Sequence, residues 1–185
     1  MKANAWIGIL SGVVLAMTGH MAAAAEKGAS TAKIAADSRA ALNNLYAKAP
    51  AAKALGAKAH AILVFPSITK AGLGVAGQYG EGVLLKGGTP VAYYSTAGAS
   101  FGIQIGAQRY GYAMFFMNDN AVQALDKAEG FEVGVGPSVV VADEGFAKST
   151  TTTNIKDDIY AFIFSQKGLM AGLGLQGNKI TKLNR

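Results

Sequence analysis

Glycine recurs at close, partly alternating intervals through the stretch from residue 62 to residue 85, ILVFPSITKAGLGVAGQYGEGVLL, and this narrows what the chain can fold into. Its first four residues, Ile62 to Phe65, have the length and composition of a buried strand. Pro66 has no backbone N–H to donate and is expected to end that strand. Gly72 and Gly74 then alternate with Leu73 and Val75, and Gly77, Gly80 and Gly82 follow. Such a strand presents a face without side chains, against which another backbone, a helix or a ligand can lie closely. Each glycine gives up roughly 0.5–1 kcal/mol of chain entropy, so several together point to close packing or a site.

Around this stretch the pattern is mixed. Ser30 or Thr31 can cap a helix running to about Lys48. Ile34, Ala41, Leu42, Leu45 and Tyr46 fall on one arc of it, with Lys33, Asp37, Asn43 and Asn44 opposite. Pro50 suits the first turn of a second helix, Ala51 to about Lys58. Lys86-Gly87-Gly88-Thr89-Pro90 is a turn signal. Strands are expected at Val91–Ser95, Ser100–Arg109 and Tyr112–Met117, with small Ser100, Gly102 and Gly106 sharing one face. Asn118-Asp119-Asn120 can cap a short helix, Ala121–Ala128, with Gln123 completing a capping box on Asn120. Phe131–Ala142 reads as a strand with Gly134 and Gly136 on its small face. Asp143-Glu144-Gly145 reads as a turn and Ser149–Asn154 as a polar loop or edge. Ile159–Phe164 is a strongly apolar strand, Leu169–Leu175 alternates glycine again, and Lys179, Lys182 and Arg185 form a basic tail.

About eight strands with helices mainly at the front imply an α+β domain. Its expected form is N-terminal amphipathic helices packed on a Gly-rich, mainly antiparallel β-sheet that curls toward a barrel or sandwich. The glycine spacing is too irregular for a repeat array. A chain of 185 residues with 51% hydrophobic and 15% charged side chains suits one folded domain rather than a disordered chain. Residues 1–25 read as a signal peptide: Lys2 gives a thin positive start, Trp6 to Met17 is apolar, and Ala22 to Ala25 offers a small-residue cleavage site. That apolar run falls short of the roughly 20 residues a spanning helix needs. With no cysteine there is neither a lipidation site nor a disulfide framework. The expectation is an exported, periplasmic protein, peripheral at a membrane, with residues 26–185 as its single domain. Loss of Lys2 takes 17 basic side chains to 16 against 11 acidic ones, a net charge of +5 that favours anionic surfaces.

Several separated motifs carry a resemblance. FPSITKAG and GQYGEGVLL, then Ala99-Ser100-Phe101-Gly102 with Gln104 and Gly106, then Ser165-Gln166-Lys167-Gly168-Leu169 with Ala171-Gly172, resemble the SYLF lipid-binding family, also called the Ysc-type actin-binding domain. They run in order from about Leu42 to Ile180. The resemblance implies membrane-lipid binding without catalysis, with the contact in the front helical region. The family's actin binding belongs to eukaryotic members and is not expected of an exported chain.

Catalytic chemistry finds little support. Gly72-x-Gly74-x-x-Gly77 matches the dinucleotide fingerprint only formally, because Gly80 and Gly82 spoil the helix it needs and no acidic residue follows at the required distance. No cofactor is expected. The expected mature chain has one histidine, His60, read as structural at a helix-to-strand junction, so histidine-cluster metal sites and Cys/His catalysis are absent. Asp157-Asp158 and Asp143-Glu144 are sequence neighbours that point apart on a strand and read as solvated turns. Glu81, a lone charge inside the glycine-rich segment, either pairs with a buried cation or faces solvent.

Lipid contact needs Lys or Arg clustered beside apolar surface, each worth about 1 kcal/mol at an anionic membrane. The candidates are Lys33, Arg39, Lys48, Lys53 and Lys58 from the front helices, Lys70 beside the FPS turn, and Lys167 in SQKGL. For each, an ordinary solvated charge is the plain alternative. The partner expected is an anionic phospholipid surface, with self-association or an envelope protein beside it, and no nucleic acid. Two rivals remain: a structural or interaction module, and a closed sheet holding an apolar ligand.

Overall fold

The computed structural model describes residues 29–126, 130–133, 136–142, 156–168 and 177–185, and its elements belong to one unit, Thr31–Arg185. The expected signal peptide, Gly134, the Asp143-Glu144-Gly145 turn, the Ser149–Asn154 segment and the Leu169–Leu175 glycine alternation lie outside the described residues.

Helix α1, Thr31–Lys48, buries Ile34, Ala35, Ser38, Leu42 and Leu45 and exposes Lys33, Asp37, Asn43 and Asn44, as the apolar arc predicts. Helix α2, Pro50–Gly56, opens on the proline and buries Ala51, Ala52 and Leu55. Together they cover sheet residues Ile62, Val64, Val83, Leu85, Ala113 and Phe115. Burying one Leu or Ile side chain contributes about 1.5–3 kcal/mol. Ile34, Leu42 and Leu45 therefore hold α1 on the sheet by several kcal/mol.

Two long strands form the body of the sheet: β1, Ala61–Lys86, and β2, Thr89–Phe116, antiparallel and joined at Gly87-Gly88. Both turn glycines have positive φ, 56° and 79°, as a tight two-residue hairpin requires. Pro66 does not end the strand. The register passes from Phe65↔Tyr112 to Ile68↔Tyr110, so Pro66 and Ser67 together oppose Gly111. The missing N–H is absorbed in that bulge.

The three strands expected between Val91 and Met117 are likewise one. A second irregularity lies between Leu73↔Ile105 and Val75↔Phe101, where β2 carries two extra residues and both strands bend. Counting the bent halves separately gives eight strand segments among the described residues.

Beyond the hairpin come helix α3, Asp119–Ala124, then β3, Phe131–Glu132, β4, Val139–Ala142, β5, Ile159–Gly168, and β6, Lys179–Leu183. The cap of α3 is Asn118, whose side chain accepts from the Ala121 N–H at 2.8 Å, and not Asn120. The expected Phe131–Ala142 strand is two short ones. The basic tail is an ordered strand, β6. Strand β5 lines the second half of β2, β6 lines the first half, β3 pairs with β6, and β4 runs parallel to β5. The fold is α+β with a curled, mainly antiparallel sheet.

The bend of β1 brings its own halves face to face. A methyl group on Gly80 would lie 2.8 Å from Ile68 Cγ1 and 2.9 Å from the Ser67 carbonyl oxygen, and one on Gly82 would meet the Val64 carbonyl. Glycine is required there because backbone occupies the space of a side chain. The inner face of the curl is filled by Leu63, Phe65, Ile68, Tyr94, Tyr110, Tyr112, Met114 and Phe131, among others.

Candidate functional site: a cleft between helix and hairpin

The loop end of the β1–β2 hairpin stands beside α1 and leaves a cleft of about 470 Å³. Helix α1 lines it with Arg39, Leu42, Asn43 and Tyr46, positions spaced 3, 4 and 7 apart and so on one helical face. Ile62 and Leu85 of β1 supply apolar wall. Gly56, Ala57 and Ala59 close the side below α2, and Gly87 and Gly88 form the rim. The Arg39 guanidinium donates to the Gly88 carbonyl oxygen at 3.4 Å, which aims it across the mouth. Tyr46 stands against Gly56, where a methyl group would overlap its hydroxyl. Partial burial raises the Tyr46 pKa, so the phenol stays neutral. The result is a cleft of mixed lining, with the Arg39 guanidinium, the Asn43 amide and the Tyr46 phenol beside the edges of Leu42, Ile62 and Leu85.

The remaining basic residues of the front helices do not meet in one place. Lys33 pairs with Asp37 at 2.6 Å, one turn along α1. Lys48, Lys53 and Lys58 are exposed around the junction of α1, α2 and β1. Lys70 is only 3% exposed, on the inward face with Ile68 and Gln78, and so stands apart from the exposed basic set. Lys167 is exposed on β5, directly opposite Arg109 of β2. Arg109 escaped notice in the sequence, because only the register shows which cation it faces.

Glu81 pairs with Arg185 through both carboxylate oxygens, at 3.1 and 2.8 Å, and accepts from the Tyr79 hydroxyl at 3.0 Å. His60 Nδ1 lies 2.9 Å from Asp119 Oδ1, and its backbone N–H donates to the Phe116 carbonyl, so it fastens strand end to helix start. The side-chain hydrogen bond between His60 Nδ1 and Asp119 Oδ1, and then the imidazole charge, hold the Asp119 carboxyl below its usual range. Asp158 is a structural acceptor: Asn118 donates to Oδ1 at 2.7 Å, and Ser138 donates to Oδ2 from its backbone N–H at 3.0 Å and from its hydroxyl at 3.2 Å.

A polar group inside the curl went unanticipated. The Tyr110 hydroxyl donates to Gln78 at 2.6 Å, and the Gln78 amide donates to Asn178. Gln78 sits at an inward position of GQYGEG, which strand alternation alone could have revealed. Among the described residues no three His, Asp or Glu side chains gather as metal ligands, and no helix is long and apolar enough to cross a membrane.

Residues 97–185, from the middle of β2 through β6, match the family model described as Ysc84, Las17-binding protein actin regulator. No curated protein matches the chain.

Proposed function

We propose, from the premise that residues 97–185 are a Ysc84 (SYLF) domain, that the chain binds anionic membrane phospholipid without catalysis. The observation that carries this reading is the cleft, in which Arg39 lies over walls formed by Leu42, Tyr46, Ile62 and Leu85. A phosphate-bearing headgroup would take the guanidinium as a charge-assisted partner, while the first carbons of its chains would lie against the apolar edges of the cleft. Lys48, Lys53 and Lys58, exposed nearby, add long-range attraction to an anionic surface. Because α1 stays docked through Ile34, Leu42 and Leu45, the contact uses its exposed side and the cleft, not an unfolded helix.

In this reading the leader expected at residues 1–25 exports the protein, which works peripherally at an envelope membrane. Actin association, named in the family description, is not taken over, since an exported chain would not meet actin.

The test is cosedimentation with neutral phosphatidylcholine vesicles and with vesicles containing phosphatidylglycerol, at low and high salt. Binding to the anionic vesicles alone, weakened by salt and reduced about fivefold or more in Arg39→Glu, is the expected result. Equal binding of both vesicle types, or of neither, overturns the proposal.

A further inference from the structure

The sheet face that carries α1 continues beyond the helices, and there, among the described residues, its side chains are exposed. Along β2, Tyr110, Tyr112 and Met114 point into the curl while Ala113 and Phe115 point toward α1. Strand alternation therefore places Arg109 and Ala107 on the α1 side. Across the ladder they pair with Thr69 and Ala71, and Leu73 follows on the same face. Thr69, Ala71, Leu73, Ala107 and Arg109 are all exposed. Leu73 is 77% exposed and Val75, just past the bend, 53% exposed.

A bulge completes the arrangement. In β5, Phe162 and Phe164 pack on the α1 side, with Phe164 lying over Gly111. Simple alternation would set residue 166 opposite Arg109. Instead the register jumps between Phe164↔Gly111 and Lys167↔Arg109, with Ser165 at φ 53° in the extra step. A left-handed serine is unfavourable backbone. Its consequence is to seat Lys167 beside Arg109, on the same face, with side chains starting about 5 Å apart. Like charges directly across a ladder repel, and among the described residues neither forms an ion pair with an acidic group. Leu73 lies four positions along the ladder from this pair, about 13 Å at the strand rise.

Two adjacent cations beside a protruding apolar side chain are complementary to an anionic bilayer surface. We propose that the face formed by Leu73, Arg109 and Lys167 is a second membrane contact. Arg109 and Lys167 jointly engage lipid phosphate, while Leu73 enters the headgroup layer. This rests on the lipid-binding reading above and assigns it a second contact, on the strands.

The chain has no cysteine, so Leu73→Cys carries one environment-sensitive fluorophore at a defined place. Phosphatidylglycerol vesicles should shift its emission to the blue and phosphatidylcholine vesicles should not. The double change Arg109→Glu, Lys167→Glu should weaken binding of the unlabelled protein at least about tenfold, with an unaltered thermal transition. If the wild type binds anionic vesicles while the label stays in water, or the double variant binds equally well, the second contact is wrong and the cleft reading stands. A blue shift on raising protein concentration without vesicles would assign the face to a second copy of the chain and overturn the proposal. If the wild type binds neither vesicle, both readings fall.

Discussion

Arg185 grips Glu81 with both arms of its guanidinium, 104 residues apart in sequence, at 3.1 and 2.8 Å. The pair ties β1 to the end of the chain after β6 and is largely shielded, with the side chains 12% and 28% exposed for Glu81 and Arg185. Tyr79 gives the carboxylate a third hydrogen bond. The isolated acid within GQYGEG thus has its cation. Because the geometry is bidentate and partly desolvated, Glu81→Gln should destabilise by roughly 1–2 kcal/mol, a fall of about 2–8 °C in Tm for a chain of this size. The exposed Lys33–Asp37 pair serves as the comparison: Asp37→Asn should cost less than about 0.5 kcal/mol. Thermal melts of the two variants, followed by circular dichroism, decide whether the long-range pair matters.

Glycines in β1 should not respond alike to substitution. A methyl on Gly80 runs into the Ser67 carbonyl and the Ile68 side chain, whereas one on Gly77 has nothing within 4 Å. Gly80→Ala should therefore destabilise by about 1–3 kcal/mol through overpacking, and Gly77→Ala should be neutral or up to about 1 kcal/mol stabilising through the unfolded chain. Urea unfolding midpoints separate the two. Equal effects would mean that the two halves of β1 do not meet at Gly80.

The glycine pattern also shows what sequence could and could not reveal. Close backbone approach, the α1 arc, the Gly87-Gly88 turn and a sheet of about eight segments are local signals, readable from side-chain period and turn chemistry. Strand continuity is not. Pro66 carries a stop signal, yet the ladder passes it because the bulge opposite Gly111 asks nothing of its missing N–H. Cap choice is also settled by tertiary contact. Asn118 takes the capping position at α3 because its amide also donates to Asp158, 40 residues away. In the site, Arg39 was visible as a charge, but the cleft needs the hairpin rim at Gly88. The Arg109–Lys167 pairing depends on a one-residue bulge at Ser165 that no periodicity displays.

Acid should loosen the region where α3, β4 and β5 meet. The Asn118 amide, then the Ser138 backbone N–H, hold the Asp158 carboxyl below its ordinary range. A folded-state pKa below the unfolded one means that the unfolded chain binds the proton more tightly. The stabilisation is full above the unfolded value, near pH 4, and is lost as pH falls through the folded one. Asp119, held low by His60, acts in the same direction. The urea midpoint of the wild type should fall between pH 5 and pH 3, and Asp158→Asn should flatten part of that fall. An identical pH profile in the variant would deny Asp158 this role.

Alkali should act through the interior of the curl. Burial pushes the Tyr110 hydroxyl up to about 12 and raises Tyr94 and Tyr112 as well. Here the folded state holds the proton more tightly, so the stabilisation is complete below the ordinary value of about 10 and declines as pH rises toward the folded one. Phenolate absorbance of the folded protein should therefore lag behind that of the unfolded chain, with Tyr94, Tyr110 and Tyr112 ionising only together with loss of near-ultraviolet circular dichroism. Tyr110→Phe removes the hydrogen bond to Gln78 and should cost about 1 kcal/mol at neutral pH. Full titration of every tyrosine near pH 10 without unfolding would contradict the buried arrangement.

Charge at the mouth of the cleft can be varied without disturbing the core. Asn43 is exposed, lines the cleft and stands one turn after Arg39 on α1. In Asn43→Glu the new carboxylate sits beside the guanidinium and cancels its field, while Asn43→Lys adds a second cation at the same place. With about 1 kcal/mol per charge at an anionic surface, the two variants should move affinity for phosphatidylglycerol vesicles about fivefold in opposite directions. Their Tm values should remain close to wild type, since surface helix substitutions of this kind shift stability by no more than about 0.5 kcal/mol. The sign carries the test. Apolar capture alone would leave both affinities unchanged, whereas contact made chiefly through the Arg109 and Lys167 strands would make Asn43→Glu weaker in effect than the equal, one-charge change Arg109→Gln.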